Sequence, residues 1–465
     1  MPGPERGLTK ASPPKRLTPA PTPFLLIRMR LPLWLSGLLA TSCIQMAGSF
    51  MSQSLPVVAP LLTVGIGVGR EQIGVITALN SLGSILFMAF GTPLIAAMGP
   101  LTALRAAVCC GAAALALLSV GLWPIVMLSA LLMGLAYGPA PPASTRILAA
   151  TAVPRHRGLT FSIKQAAAQA GGVLAGLTIA PMAAHFGWAA GLALPVTVGV
   201  LAAVAVAPLS GALEIARDPP RRVSLASLFQ WRTIKRPFAA VGSSTRLMAL
   251  TVLTTCLAVV QGCLFSFCVT YLVTSRGMTL QEAGIGYACM QGGGMAGRIF
   301  VGWAADRSQN AWRNIVVQAW ASAGLVVVWA LMPGDLGLSV LGPMALVMGL
   351  VCASWPGLIL AEVSRLAPPG GIAEAASGST MITFAGYVVG PVLFAAGVRL
   401  TGDWLVPYLL VAAQMALMAA AQTVLLLRHG RAGAPREGVA GAPREARVAG
   451  AVIPPPAPEA GSSRR

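Results

Sequence analysis

Within the first apolar stretch of the chain, Gln45, Ser49, Ser52 and Gln53 follow an i, i+4, i+7, i+8 spacing. On a helix this puts four hydrogen-bonding side chains on one face. A second polar set, Lys164, Gln165 and Gln169, runs beside Ala168, Gly172 and Gly176, small residues recurring every fourth position. Gln291 adds an amide inside a later glycine-rich run, and that run ends at Gly302, Asp306 and Arg307. No set pairs a nucleophile with a base, cradles a phosphate or clusters metal ligands. His156, His185 and His429 are scattered, and the eight cysteines lie in apolar runs without CxxC spacing. Catalysis, a metal and a cofactor are therefore not expected. Amides, hydroxyls and a few cations can instead bind a polar solute, or they can hydrogen-bond helix to helix; for the first set the two readings carry equal weight.

The elements that position these groups follow from composition. The chain has 465 residues, 56% hydrophobic and 10% charged, with mean hydropathy +0.77, outside any soluble globular class. Crossing about 30 Å of hydrocarbon takes about 20 apolar residues as helix. Twelve such runs occur, at 33–63, 72–95, 102–122, 124–147, 159–182, 189–208, 247–274, 283–303, 314–332, 337–361, 376–398 and 404–427. They lack the ten-residue alternation of barrel strands. The formal charge of +19 would suggest nucleic acid in a soluble chain, but its placement argues for lipid. With the N-terminus in the cytoplasm, 29 of the 32 basic residues fall on that side, leaving Arg70, Arg276 and Arg399 outside. That asymmetry is what the positive-inside rule demands, so both tails are expected in the cytoplasm of a bacterial-type inner membrane.

These runs divide the chain into a disordered tail at 1–30, a six-helix bundle at 31–208, a basic cytoplasmic linker at 209–246, a second six-helix bundle at 247–427 and a tail at 428–465. Pro139, Pro141 and Pro142 predict a broken fourth helix. The halves also echo each other. REQIG before helix 2 parallels LQEAGIG before helix 8, and Gly172, Gly176 and Trp188 parallel Gly386, Gly390 and Trp404.

The spacing of Gly302, Asp306 and Arg307 resembles the short loop signature of the major facilitator superfamily. The resemblance implies a glycine that lets two helices close and an Asp-Arg pair that latches the cytoplasmic side, with Asp306 at the start of helix 5 and Arg307 able to pair with Glu362. At the first signature loop, GTPLIAAMGPLTALR, the match keeps Gly91, Gly99 and Arg105 but has Ile95 where the family has an acid. That implies a weakened first latch. Two departures argue against proton antiport: no arginine precedes Gly134 on helix 4, and the pair Gly390-Pro391 stands on helix 11 rather than helix 5. GLTFSIKQ, followed by glycine pairs and FGW, resembles the cyanate- and nitroimidazole-permease-like branch of the superfamily.

The expectation is thus an all-α membrane protein with twelve transmembrane helices in two six-helix bundles, the major facilitator fold. It is expected to be a monomeric secondary transporter that moves a small solute by alternating access and meets membrane lipids but no nucleic acid. Lys164 and Arg298 are the innermost charges, and no helix interior carries an acid to neutralise them, which favours a small organic anion; whether protons are coupled stays open. The alternative is proton-coupled efflux of drugs or metabolites, and a polytopic membrane enzyme is a distant third. Reporter fusions after Leu209 and after Leu427 should both read cytoplasmic, and a periplasmic signal at either breaks this topology. Asp306→Asn should slow transport in correctly inserted protein; an unchanged rate removes the latch.

Overall fold

The computed structural model describes residues 31–153, 157–214, 231–308, 311–368 and 371–432. Its spanning helices are α1 (Leu33–Gly65), α2 (Arg70–Phe90), α3 (Pro100–Leu118), α4 (Trp123–Thr151), α5 (Leu159–Phe186) and α6 (Trp188–Leu213) in the first half. The second half has α7 (Thr245–Thr274), α8 (Leu280–Ser308), α9 (Trp312–Leu331), α10 (Leu338–Ile359), α11 (Glu374–Thr401) and α12 (Leu405–Arg428). Among the described residues, 11 of these helices are both long and apolar enough to cross a membrane. The remaining one, α8, has the length at 29 residues, but its glycines, Gln291 and Arg298 dilute its aliphatic content. Large side chains such as Leu400 and Leu417 lie open on the surface, a cost in water that a lipid surround removes. The described residues up to Gln422 form one compact unit, and the end of α12 from Thr423 forms a second.

Pro56, Pro60, Pro343 and Pro391 lie inside continuous helices, but at three other places a helix breaks or distorts beside a proline. α4 consists of Trp123–Tyr137 and Ala140–Thr151, parted at Gly138-Pro139, because proline removes a backbone donor and its ring crowds the preceding turn. α10 breaks in the same manner, and Pro356–Leu366 resumes the helix after Cys352. In α5 a π-helical turn, Ala175–Ile179, precedes Pro181 and absorbs the same loss of an i to i−4 bond. The segment expected to be plain linker holds more order than its polarity suggested. α6 runs on to Leu213, and the Glu214 carboxylate accepts from the Thr102 N–H at 2.6 Å, capping the start of α3. Further along, Trp231–Gly242 forms a helix with Val241 buried and the Pro237 carbonyl against Gly378 of α11.

The internal duplication is visible in the packing. α2 packs on α4 as α8 packs on α10, and α1 on α5 as α7 on α11; between the halves, α2 meets α11 as α8 meets α5. Each equivalent pair uses glycine to bring backbones together. A Cβ on Gly134 would stand 1.8 Å from the Asn80 carbonyl oxygen, and one on Gly349 would stand 1.7 Å from that of Met290. Such approach replaces the hydrophobic drive that lipid does not supply between helices. With the terminal face defined as the side where α1 begins, glycine contacts with backbone between the halves lie toward the far face. Gly74 faces the Pro391 carbonyl there, and Gly176 faces that of Gly284.

Gly349→Ala should therefore force α8 and α10 apart and cost about 1–3 kcal/mol. Gly324→Ala, with nothing within 4 Å of the added methyl, should be neutral or slightly stabilising. Thermal unfolding of the two detergent-purified variants compares them, and equal loss at both positions contradicts this packing.

Candidate functional site

α5 and α8 run antiparallel between the halves in one sustained register. The Gln165 carbonyl accepts from the Arg298 guanidinium (Nη1) at 2.7 Å. One turn further, the Gln169 amide lies against Gly294; then Gln291 lies against Gly172, and Gly284 against Ala180 and the Gly176 carbonyl. Each large amide thus faces a glycine on the opposite helix. The four-residue spacing of Gly172 and Gly176 serves this seam, while Gly171, one position aside, lies against the α1 backbone at Met46 and Phe50.

Two cations sit at the terminal-face end of the seam. Lys164 is 5% exposed and its ammonium donates to Gln165 Oε1 at 3.4 Å. Arg298 also donates from Nε to the Ala353 carbonyl at 3.2 Å, at the break in α10 where that oxygen has lost its helical donor. The two charges lie close enough to act on each other, and Tyr137 and Tyr387 lie close enough to act on Arg298. Among the described residues the only ion pair is Arg365 with Glu362, three positions apart on the continuation of α10. Lys164 and Arg298 therefore have no described carboxylate partner. Their described partners are neutral oxygens, which offset only part of the cost of withdrawing a charge from water.

The remaining expected site residues separate into groups. Gln45 is buried and donates to the Tyr137 hydroxyl at 2.7 Å and to Ser49 at 3.5 Å, a cluster inside the first half that borders a cavity of about 20 Å³, room for about one water. Ser52 accepts from Asn80 at 3.0 Å and serves helix packing. Gln53 reaches across the halves and accepts from the Tyr287 hydroxyl of α8, which in turn accepts from Gln291 Nε2 at 2.8 Å. Gly302 lies in α8, the side chains of Asp306 and Arg307 lie outside what is described, and Glu362 is engaged by Arg365.

The tyrosines escaped sequence reasoning. The chain has only 5, and Tyr137, Tyr287 and Tyr387 each bond a glutamine (Gln45, Gln53 and Gln261) in mid-span. Tyr271 and Tyr408 join a ring cluster with Trp404 and Phe394 nearer the far face. The usable signal was their position, since a hydroxyl at membrane depth needs a partner. Together these groups give each half a polar interior, with Gln53–Tyr287 and Gln165–Arg298 bonding across the two halves.

Comparison with known proteins agrees with this architecture. Residues 33–391 match the Major Facilitator Superfamily. Two uncharacterized MFS-type transporters of Mycobacterium tuberculosis, from strains CDC 1551 / Oshkosh and ATCC 25618 / H37Rv, are 29% identical over 271 residues, covering 58% of this chain and 56% of theirs. The match thus spans just over half the length of these relatives. Among solved structures, the peptide transporter POT in complex with alafosfalin superposes with a TM-score of 0.64 at 15% identity, over 87% of this chain and 96% of that one. A variant of the nucleoside transporter NupG gives 0.63 at 15%, over 84% and 99%. A bacterial homolog of the human lysosomal transporter Spinster, inward-facing and occupied, gives 0.61 at 15%, over 85% and 96%. At such identity the likeness is one of fold alone. With the signature match covering most of the chain and twelve helices paired as two related halves, the chain belongs to the Major Facilitator Superfamily.

Proposed function

We propose that this protein is a secondary active transporter that carries a small organic anion by alternating access between its two halves. The observation that carries the reading is the pairing of Lys164 and Arg298 across the α5–α8 seam with neutral partners only. A neutral or cationic solute would leave both charges uncompensated. An anion would convert their mutual repulsion into two charge-assisted bonds, each worth about 1.5–3 kcal/mol net. Because the cations sit on different halves, the same anion favours closure around itself and is released when the halves rock apart. The resemblance of GLTFSIKQ, which contains Lys164, to the cyanate- and nitroimidazole-permease-like branch supports the same class of solute.

The placement of basic residues supports an inner-membrane protein with both termini in the cytoplasm. The far face is then periplasmic, and the glycine contacts closing that side favour an inward-facing form. The bundle boundaries read from the sequence, 31–208 and 247–427, accommodate this with the first bundle extended to Leu213. The protein would work as a monomer, since each pseudo-twofold half supplies what the other lacks. Proton coupling has no acid in the described core to carry it, which ranks drug efflux by proton antiport second.

Uptake into proteoliposomes, with monocarboxylates, cyanate and cationic dyes offered under an imposed pH gradient, tests this. Lys164→Gln should raise the half-saturation concentration for the transported anion about tenfold or more, as expected for a lost charged hydrogen bond. Lys164→Arg should retain part of the wild-type affinity. Wild-type kinetics in Lys164→Gln, or transport of the dyes alone, would remove the anion assignment.

A further inference from the structure

Above the two cations, the α5–α8 seam holds two amides with polar atoms to spare. Gln169 is 2% exposed and Gln291 0%. Gln169 Nε2, a donor, and Gln291 Oε1, an acceptor, are buried with no hydrogen-bond partner among the described residues. They belong to opposite halves. The Gln291 nitrogen is committed to Tyr287, whose own proton goes to Gln53, so the oxygen is the atom left over. Gln169 stands against Gly294, three positions along α8 from Gln291 and four from Arg298, or about 6 Å of rise from the guanidinium-bearing residue.

Leaving such groups dry is costly, and amides present only to pack helices would be expected to satisfy one another. One donor and one acceptor on facing helices are answered together by a group that both accepts and donates. A hydroxyl is the smallest such group on an organic acid, accepting from Gln169 and giving its proton to Gln291. An apolar substituent would leave both amides unpaired. A second carboxylate would satisfy the donor but bring its charge against the Gln291 oxygen.

We propose, building on the anion reading above, that the site selects a hydroxylated carboxylate, with the carboxylate on Lys164 and Arg298 and the hydroxyl between Gln169 and Gln291. Selection acts by penalty. An acid of the same length without the hydroxyl keeps the charge contacts but strands two buried amides, and sites built to pair a hydroxyl reject its absence more strongly than they reject a missing methylene. The seam closes only when the halves meet, so the hydroxyl, like the carboxylate, is read in the closed state.

The test titrates the full-length protein in detergent with butyrate and with 2-, 3- and 4-hydroxybutyrate at fixed pH and ionic strength, reading the rise in unfolding temperature as a binding isotherm. At least one hydroxybutyrate should bind about fivefold or more tightly than butyrate, the value of one neutral hydrogen bond. Gln169→Met and Gln291→Met, which keep chain length and lose the amide, should erase that preference; the unfolding temperature of each variant without ligand reports whether it is folded. Lys164→Gln should weaken all four acids together. If wild-type protein binds butyrate as tightly as every hydroxybutyrate, the hydroxyl assignment fails and the anion reading stands. If Lys164→Gln binds all four acids as wild type does, the anion reading fails and takes this inference with it.

Discussion

Arg298 donates to the Gln165 carbonyl across the seam between the halves at 2.7 Å, and much of the molecule is arranged around the charge that this bond leaves uncompensated. Hydrocarbon offers a guanidinium nothing, so the charge must face protein, and the protein must supply oxygen. Part of that oxygen comes from broken helix. The Ala353 carbonyl that Arg298 reaches lies in the short break between Leu338–Cys352 and Pro356–Leu366. The proline break is thus a feature of the site as well as of the fold. Lys164, a more deeply buried cation on the facing helix, makes the same demand with fewer partners, since its ammonium reaches only the side chain of Gln165.

Glycine makes the seam possible. With a side chain at Gly294 or Gly172, the amides of Gln169 and Gln291 would have no room on the opposing helix, and α5 and α8 could not hold their register. The same device recurs within each half, where Gly134 meets the Asn80 carbonyl and Gly349 that of Met290. Lipid does not drive helices together by hydrophobic contrast, so association rests on close contact and hydrogen bonds.

The first set of residues noticed in the sequence does two jobs. Gln45 and Ser52 bond within the first half, to Tyr137 and Asn80, which is helix packing. Gln53, on the same face, reaches Tyr287 in the second half. A stripe of polar residues in one helix therefore says that a polar surface exists but not which neighbour it meets. Where the stripe stops serving its own half depends on how far the two halves lean together along α1 and α7.

Much of the architecture was legible in the chain alone. Twelve apolar runs, the proline cluster in α4 and the doubled glycine pattern are local or periodic properties, set by the length of a helix that must cross hydrocarbon and satisfy its own backbone. Other features were not local. The helix Trp231–Gly242 sits in a polar segment and is held by its packing against α11; Glu214 finds its partner more than a hundred residues back, at the start of α3. The approach of Lys164 to Arg298, and the placing of Gln169 against Gly294 and Gln291 against Gly172, depend on the antiparallel register of two helices far apart in sequence. Neither helix fixes that register by itself, because it arises only where glycines from both halves let the backbones meet.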